Sequence, residues 1–199
     1  MSDQRDWTKV PATTWLNRLI DESNTWFLAV KSEDASRFID AVIYYLKDAM
    51  ECLRKNLQLQ AALSCASAAS CLEKTGDSIN SSRLYREAAA IYLDNSKLIG
   101  KSTKERLWSL ERAYYFSLMA HDTKKAGEVH NELLSVQFEN AISKSNSNSA
   151  STIQAPTDDP PEPGKNVQSK EVMASIDDFL NARRKLPRLQ PISAGTADR

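Results

Sequence analysis

Proline is almost absent from the first three quarters of this chain of 199 residues. Pro11 is the first of its seven prolines, and the other six lie at or beyond residue 156. Proline interrupts helices and is excluded from central strands, so a long stretch without it suits consecutive helices. Apolar residues recur here at steps of three and four, and no alternating pattern or Asn-Gly turn competes. Residues 1–144 are therefore predicted to form an all-α domain of about six antiparallel helices.

The first two helices are predicted from their starting residues and their apolar faces. Pro11 suits the first turn of a helix that includes the apolar residues of segment 15–27, because proline has no amide hydrogen to lose there. Asp34 or Ser36 is expected to cap the second helix, in which apolar residues recur along one face of segment 38–53.

The later helix boundaries carry stronger turn signals. Gly76-Asp77 follows an alanine-rich helix predicted over residues 57–74, with Gly76 as its left-handed terminal residue and Asp77 as the cap of the fourth helix. Ser102 and Glu105 form a capping-box pattern that opens the fifth helix. His121-Asp122-Thr123 is the short turn before the sixth. These short turns predict helical hairpins.

The composition changes after residue 144. Residues 145–168 are rich in Ser, Asn, Asp and Pro and are predicted to be a flexible linker. Segment 169–186 has apolar residues on one side of a helical wheel and a basic end, which predicts a tethered amphipathic helix. Residues 187–199 are expected to be a disordered C-terminus. The chain is therefore expected to have one folded domain and a tail with a single helix.

Overall charge and cysteine content restrict the class of protein. Lys plus Arg and Asp plus Glu both number 26, so no excess of positive charge favours nucleic-acid binding. Cys52, Cys65 and Cys71 lie in apolar helical segments without metal-type spacing, which favours buried, reduced thiols. Neither a signal-peptide pattern nor an apolar run of about 18 residues is present. We therefore expect a cytoplasmic protein without a transmembrane segment, and peripheral membrane contact is disfavoured.

An internal repeat is suggested by the two clearest turns. Superposing Gly76-Asp77 on His121-Asp122 gives a period of about 45 residues, within the range of helical-hairpin repeat proteins.

The better of these repeats resembles the tetratricopeptide pattern. The matching small, apolar, turn and aromatic positions are Ala69, Leu72, Gly76, Tyr85 and Ala88. Ser81 stands where the pattern usually has alanine, and no proline closes the repeat. The sequence Cys-Leu-Glu-Lys-Thr-Gly-Asp from residue 71, with the segment 83–92, is most similar to soluble NSF attachment proteins. The resemblance implies a helical scaffold that presents a groove to a partner protein, without catalytic residues.

No pattern in the sequence indicates catalysis or a cofactor. His121 and His130 are the only histidines, and neither has a second histidine at the spacing of a helical metal site. Hydrolase, phosphate-loop and zinc motifs do not occur. We therefore expect no catalytic residues, metal or cofactor. A small enzyme without a recognisable motif is the remaining alternative.

Candidate partner-binding residues fall into two groups. Tyr44, Trp108 and Tyr115 are aromatic residues of the array that would suit a peptide groove, although core packing is the stronger interpretation. The second group belongs to the tail helix and consists of Val172, Ile176, Phe179, Leu180, Arg183 and Leu186. Their apolar face is expected to be buried against a surface, because its burial would offset the cost of ordering the segment.

Three destinations are open for that helix. It can cap the exposed end of its own array, bind another protein as a linear motif, or lie on a membrane surface, which Asp177 and Asp178 disfavour. Segment 177–188 resembles motifs bound by microtubule-interacting-and-trafficking domains, but departs from them at Arg184 and Pro187. The hypothesis is a non-catalytic adaptor with two protein contacts, one in the array and one in the tail. The alternative is a vesicle-trafficking or membrane-remodelling adaptor recruited through the tail.

Overall fold

The computed structural model describes residues 24–98, 104–145 and 170–185, with side chains through residue 141 in the second range. Seven α-helices and no strand lie within these ranges. The helices are α1 (Thr25–Asp34), α2 (Phe38–Arg54), α3 (Gln58–Lys74), α4 (Ser78–Leu98), α5 (Lys104–Met119), α6 (Thr123–Ser145) and α7 (Lys170–Lys185). The predicted all-α fold class is confirmed.

Helices α1 to α6 form a sequential array, in which each helix packs on the next one in the chain. Short turns reverse the chain after α1, α2, α3 and α5, so the helices they join are antiparallel neighbours. Helix α7 instead packs mainly on α2 and α4. Two reversals separate α2 from α4, so these two helices run in the same direction and together support α7.

Four of the turns have the same hydrogen-bonded geometry. Each has one residue with positive φ, namely Ser36 (57°), Asn56 (58°), Gly76 (82°) and His121 (55°). In every case the next residue donates its amide hydrogen to the carbonyl oxygen five positions earlier, at 2.8–3.0 Å. This is the Schellman motif, which satisfies the last carbonyls of a helix and turns the chain sharply. Gly76 therefore has the predicted role.

The caps of the helices that follow these turns are only partly as predicted. Asp77 accepts a hydrogen bond from the amide of Asn80 at 3.2 Å, as expected for the cap of α4. The prediction that Asp34 or Ser36 caps α2 was wrong. Asp34 is the last residue of α1, Ser36 is the left-handed residue of the turn, and Arg37 precedes α2 without a side-chain cap.

The repeat is more regular in the structure than in the sequence. Ser36, Asn56 and Gly76 are 20 residues apart, so one hairpin occupies 40 residues. The interval from Gly76 to His121 is 45 residues, so the predicted period applies only to this second hairpin, whose helix α4 is longer than α2. A side-chain contact repeats with the 40-residue period. Tyr45 donates to Glu33 at 2.7 Å, and Tyr85 donates to Glu73 at 2.9 Å.

Small side chains in α3 allow close packing with its neighbours. The buried residues of this helix include Cys65, Cys71 and five alanines, Ala61, Ala62, Ala66, Ala68 and Ala69. Cys52 of α2 is also buried. The three cysteines are free thiols, which agrees with the prediction. Burial raises the pKa of Cys65 well above its usual value and raises that of Cys71 to about 12. These thiols are therefore un-ionised structural residues at neutral pH.

Two details of the predicted helices differ in the structure. Asn24 has extended backbone angles, and its side chain accepts a hydrogen bond from the amide of Trp26 at 3.0 Å. A helix thus begins at Thr25, and Phe27 does not continue the helix predicted from Pro11. In α6, the sequence pattern predicts Phe138 among the apolar residues of the helix, but it lies on the solvent side with 69% of its surface exposed.

Several predictions concern residues outside the described ranges. They include the segment 1–23, the capping residue Ser102, the linker 145–168 beyond Ser145, the end residues Ser169 and Leu186 of the predicted tail helix, and the C-terminus 187–199. Within the described part of the chain, no helix has the length and apolar character needed to cross a membrane.

Candidate functional site

The surface formed by α2 and α4 holds the C-terminal helix α7. Val172, Ile176 and Phe179 point from one side of α7 into the protein and are almost completely buried. Their spacing of four and then three residues forms a single apolar stripe on a helix. Leu180 is partly buried and packs against the same core. The amphipathic helix predicted from the sequence is therefore present, and its apolar face is covered by its own array.

The helix folds back on its own array, but not at the exposed end where the sequence analysis placed that destination. The main packing partners of α7 are α2 and α4 rather than α6, the last helix of the array. The helix therefore lies along the side of the array and does not cap its end. We call the surface of α2 and α4 that α7 covers the α2–α4 groove.

The first turn of α7 meets the N-terminus of α4. Asn80 is buried, and its side-chain amide nitrogen lies 2.9 Å from the sulfur of Met173 and 2.7 Å from a carboxylate oxygen of Asp77. Asp77 also caps α4. The turn that begins α4 is thus in contact with the beginning of α7.

An ion pair lies near the middle of α7. A guanidinium nitrogen of Arg83 donates to Asp177 at 2.8 Å, and another donates to the side-chain oxygen of Asn80 at 3.1 Å. The Asp177 side chain remains 53% exposed. Ion pairs this accessible contribute little to stability, so the contact bears mainly on orientation.

The last turn of α7 carries the most enclosed ionic contact of the groove. Nε of Arg183 lies 3.2 Å from Oε1 of Glu87, and Nη2 of Arg183 donates to Oδ2 of Asp94. The Arg183 side chain is only 12% exposed. Burial raises the pKa of Glu87, Arg183 lowers it and Asp94 raises it, and the balance lies above the ordinary glutamate value. The two carboxylates thus form a costly acidic site whose charge Arg183 partly compensates.

The order of these contacts establishes the direction of α7. Met173 meets Asn80, Asp177 meets Arg83, and Arg183 reaches Asp94, so both helices advance together. Helix α7 therefore runs parallel to α4. In two parallel helices the ends that carry the same partial charge lie side by side, so the helix dipoles of α4 and α7 do not favour a parallel arrangement. The side-chain contacts must supply the preference.

Space remains beside the C-terminal end of α7. A cavity of about 500 Å³ lies where α4, α5 and α6 approach this end, and Leu93, Val129, Arg183 and Arg184 are among its lining residues. The cavity is bordered by charges of both signs, including Lys97 and Asp122. Helix α7 therefore occupies the α2–α4 groove without filling the neighbouring space.

The aromatic candidates of the array do not form one site with α7. Trp108 is 39% exposed and borders a separate cleft of about 410 Å³ with Leu59 and Leu63 of α3. Tyr115 is 48% exposed and packs edge-on against Phe116. Tyr44 is on α2 and is partly buried against the core. The structure thus brings together the described tail candidates but not Trp108 and Tyr115.

Sequence reasoning missed the residues of α4 that meet α7. Arg83, Glu87 and Asp94 follow steps of four and seven residues, so they lie close to one face of α4. This mixed-charge stripe is a detectable signal, yet it is also typical of a solvated helix face. Nothing in the local sequence links it to Arg183, which is 89 residues from Asp94.

The histidines have structural surroundings. His121 is the left-handed residue of the turn before α6, and the ring of His130 lies 5.1 Å from that of Tyr114. Across the ranges described by the structure, no group of three or more His, Cys, Asp or Glu residues is arranged to hold a metal ion.

Comparison with protein-family models, with curated proteins and with solved structures found no match. Function is therefore inferred from the groove and the helix that occupies it.

Proposed function

We propose that this protein is a non-catalytic adaptor that binds amphipathic helices of partner proteins in the α2–α4 groove. The observation that supports this most directly is the burial of Val172, Ile176 and Phe179 by a surface of the same chain. Binding an apolar helical stripe in a groove is a common mode of peptide recognition. In this proposal α7 is the resident ligand and a partner helix replaces it.

The linker between α6 and α7 determines how strongly α7 competes with a partner helix for the groove. Residues 146–169 join α6 to α7, and a chain of 24 residues spans at most about 80 Å. A tethered ligand has an effective concentration on the order of millimolar. A partner present at micromolar concentration must therefore bind the groove more tightly than α7 does, or act when α7 has been released. The groove is self-inhibited in this proposal.

The repeated architecture supports the scaffold part of the proposal. The 40-residue repetition of turns and of the Glu–Tyr hydrogen bond supports a helical-hairpin repeat array, with a period longer than the roughly 34 residues of a tetratricopeptide repeat. The likeness to tetratricopeptide proteins and soluble NSF attachment proteins remains part of the proposal. A cytoplasmic location is part of the proposal, and the three buried free thiols support it.

The alternative function, recruitment through the tail, requires α7 to be accessible to a partner. A partner that reads the tail as a trafficking motif needs access to Leu180 and Arg183. In the docked state Leu180 packs against the core, and Arg183 is held by Glu87 and Asp94. That function would require α7 to leave the groove first.

The proposal is tested by vacating the groove in the full-length protein. Ile176→Asp combined with Phe179→Asp places two charges on the buried stripe, which should release α7. A fluorescent peptide of residues 168–188 is then titrated against this variant and against the unchanged chain. We expect the vacated groove to bind the peptide at least about tenfold more tightly, because self-occupation reduces the competent fraction.

The matched control adds the same charges to the exposed side of α7. Ala174 and Asn181 are exposed, so Ala174→Asp with Asn181→Asp should leave α7 docked and peptide binding weak. Circular dichroism checks that both variants keep their helical array. A folded, vacated variant that does not bind the peptide would refute the proposal.

A further inference from the structure

We infer that the α2–α4 groove is selective for one direction and one charge pattern, and that its partners are helices resembling α7. This inference rests on the proposed function and specifies its partner class. Such a helix has apolar residues at positions i, i+4 and i+7, an acidic residue at i+5 and an arginine at i+11. In α7 these positions are Val172, Ile176, Phe179, Asp177 and Arg183.

The arginine is required because the acidic site is built for a cation. Glu87 and Asp94 lie seven residues apart on α4, and both reach the guanidinium of Arg183. With α7 docked, the side chains of Glu87 and Asp94 are only 23% and 32% exposed, and a bound helix without a cation here would leave these partly buried carboxylates without compensation. Partly desolvated charge without a partner opposes binding, whereas the intact pair adds little net affinity. The site therefore acts chiefly by rejecting helices that lack the cation.

Arginine should be preferred to lysine at this position. The guanidinium presents a planar set of donors, and in α7 two of its nitrogens face different carboxylates, Glu87 and Asp94. The lysine ammonium is a single point charge on a flexible chain and cannot reproduce this arrangement. Lysine should thus restore only part of the affinity that arginine provides.

Direction follows from the opposite charges along α4. Arg83 lies toward the N-terminal end of the contact and meets Asp177, whereas Asp94 lies toward the C-terminal end and meets Arg183. A helix with the two charges exchanged would bring Arg near Arg83 and Asp near Glu87 and Asp94. Like charges in contact suppress binding, so exchanged or reversed helices are expected to be rejected.

A set of peptides tests the inference on the full-length vacated variant with Ile176→Asp and Phe179→Asp. Each peptide spans residues 168–188, and affinity is measured by fluorescence anisotropy. We expect Arg183→Met to bind at least about tenfold more weakly than the native peptide, and Arg183→Lys to lie between them. A peptide with Asp177→Arg and Arg183→Asp should show no measurable binding. Equal binding of the native and Arg183→Met peptides would overturn the inference.

Neutralising Glu87 and Asp94 shows whether Arg183 is recognised through its charge or only through the packing of its side chain. When Glu87→Gln and Asp94→Asn are added to the vacated protein, the Arg183→Met peptide should regain most of its affinity, so the difference between the peptides nearly disappears. A penalty that persists unchanged would mean that Arg183 acts only through packing, which also overturns the inference. If the native peptide itself does not bind the vacated protein, it is the proposed function that fails.

A measurement on the intact chain covers the case in which the vacated variant does not fold. Arg183→Met in the otherwise unchanged protein should increase hydrogen exchange of the α7 amides at least about tenfold. Lys185→Met removes a nearby exposed cation of α7 and should leave exchange within about twofold of the unchanged protein. Equal effects of the two substitutions would contradict a specific role for Arg183.

Discussion

The helices of the array and the helix α7 are held by different kinds of contact. In the array, four short hydrogen-bonded turns join successive helices, and the small residues of α3 allow close packing. Helix α7 is joined by 24 residues and held by one apolar stripe and a few ionic contacts. We therefore expect loss of α7 to leave the turns and the packing within the array in place. The difference supports the proposal that the array is a permanent scaffold and α7 its exchangeable ligand.

The largest effect is expected from a cavity in the scaffold. Leu84 is completely buried in α4, and Leu84→Ala should lower the free energy of unfolding by about 2–5 kcal/mol. Chemical denaturation followed by circular dichroism measures this change. Because the array is expected to unfold as a unit, protection should fall in α3, α4 and α5 together. If only the α7 amides lost protection, the proposed distinction between the array and α7 would be wrong.

A cavity under α7 should have a more local effect. Phe179→Ala removes the largest anchor of α7, and buried Phe→Ala changes cost about 3–5 kcal/mol in tightly packed cores. Here the loss cannot exceed the free energy of docking, because an undocked helix has nothing further to lose. Hydrogen exchange should show faster opening of α7 with the α3 amides unchanged. Equal acceleration in α3 would mean that α7 is an integral part of the core.

The scaffold turns can be tested with two glycines in different settings. Gly76 has φ of 82°, so Gly76→Ala should destabilise the protein by about 1–2 kcal/mol. Gly127 lies within α6, and an added Cβ would meet no atom within 4 Å. Gly127→Ala should therefore stabilise the helix by up to about 1 kcal/mol. Thermal unfolding measures the change in stability for each substitution. Changes of the same sign for Gly76→Ala and Gly127→Ala would contradict the turn assignment.

The sequence permitted a good prediction of the scaffold and a partial one of the groove. The helix bounds around Gly76-Asp77 could be predicted because a glycine that ends a helix and an aspartate that caps the next one act on their immediate sequence neighbours. Ser36 and Asn56 take the same left-handed role as Gly76. Asparagine is a weaker signal for this role than glycine, and serine is not one. The apolar stripe of α7 required burial somewhere, yet its location depends on contacts with α4 some 90 residues earlier. Such long-range pairings have no local signal.

The smallest expected effect is an opposite pH response of two glutamates. Burial alone raises the pKa of Glu33, but hydrogen bonds from Lys74 and Tyr45 outweigh it and lower the pKa. Its contribution to stability is present above the ordinary glutamate pKa and is lost as pH falls through the lowered value. The pKa of Glu87 is raised, so its contribution is present below the ordinary value and is lost as pH rises through the raised one.

Neutral variants at these two positions measure the opposite signs. The stability advantage of the unchanged protein over Glu33→Gln should shrink as pH is lowered from about 6 to 3. The unchanged protein should gain relative to Glu87→Gln over the same change, as its buried carboxylate takes up a proton. Urea unfolding across this pH range gives both differences. If both stability differences changed in the same direction with pH, the charge of Glu33 would not be favourable in the scaffold while that of Glu87 is costly in the groove.

The exchangeability of α7 is tested most directly by titrating the isotope-labelled full-length protein with unlabelled peptide 168–188 and following its amide signals by NMR. We expect the signals of residues 170–185 to move toward those of the free peptide as the added peptide replaces them, while the signals of α3 stay unchanged. If the α7 signals do not move at millimolar peptide, although the vacated variant binds it, α7 is a permanent part of the fold and the groove is not available to partners.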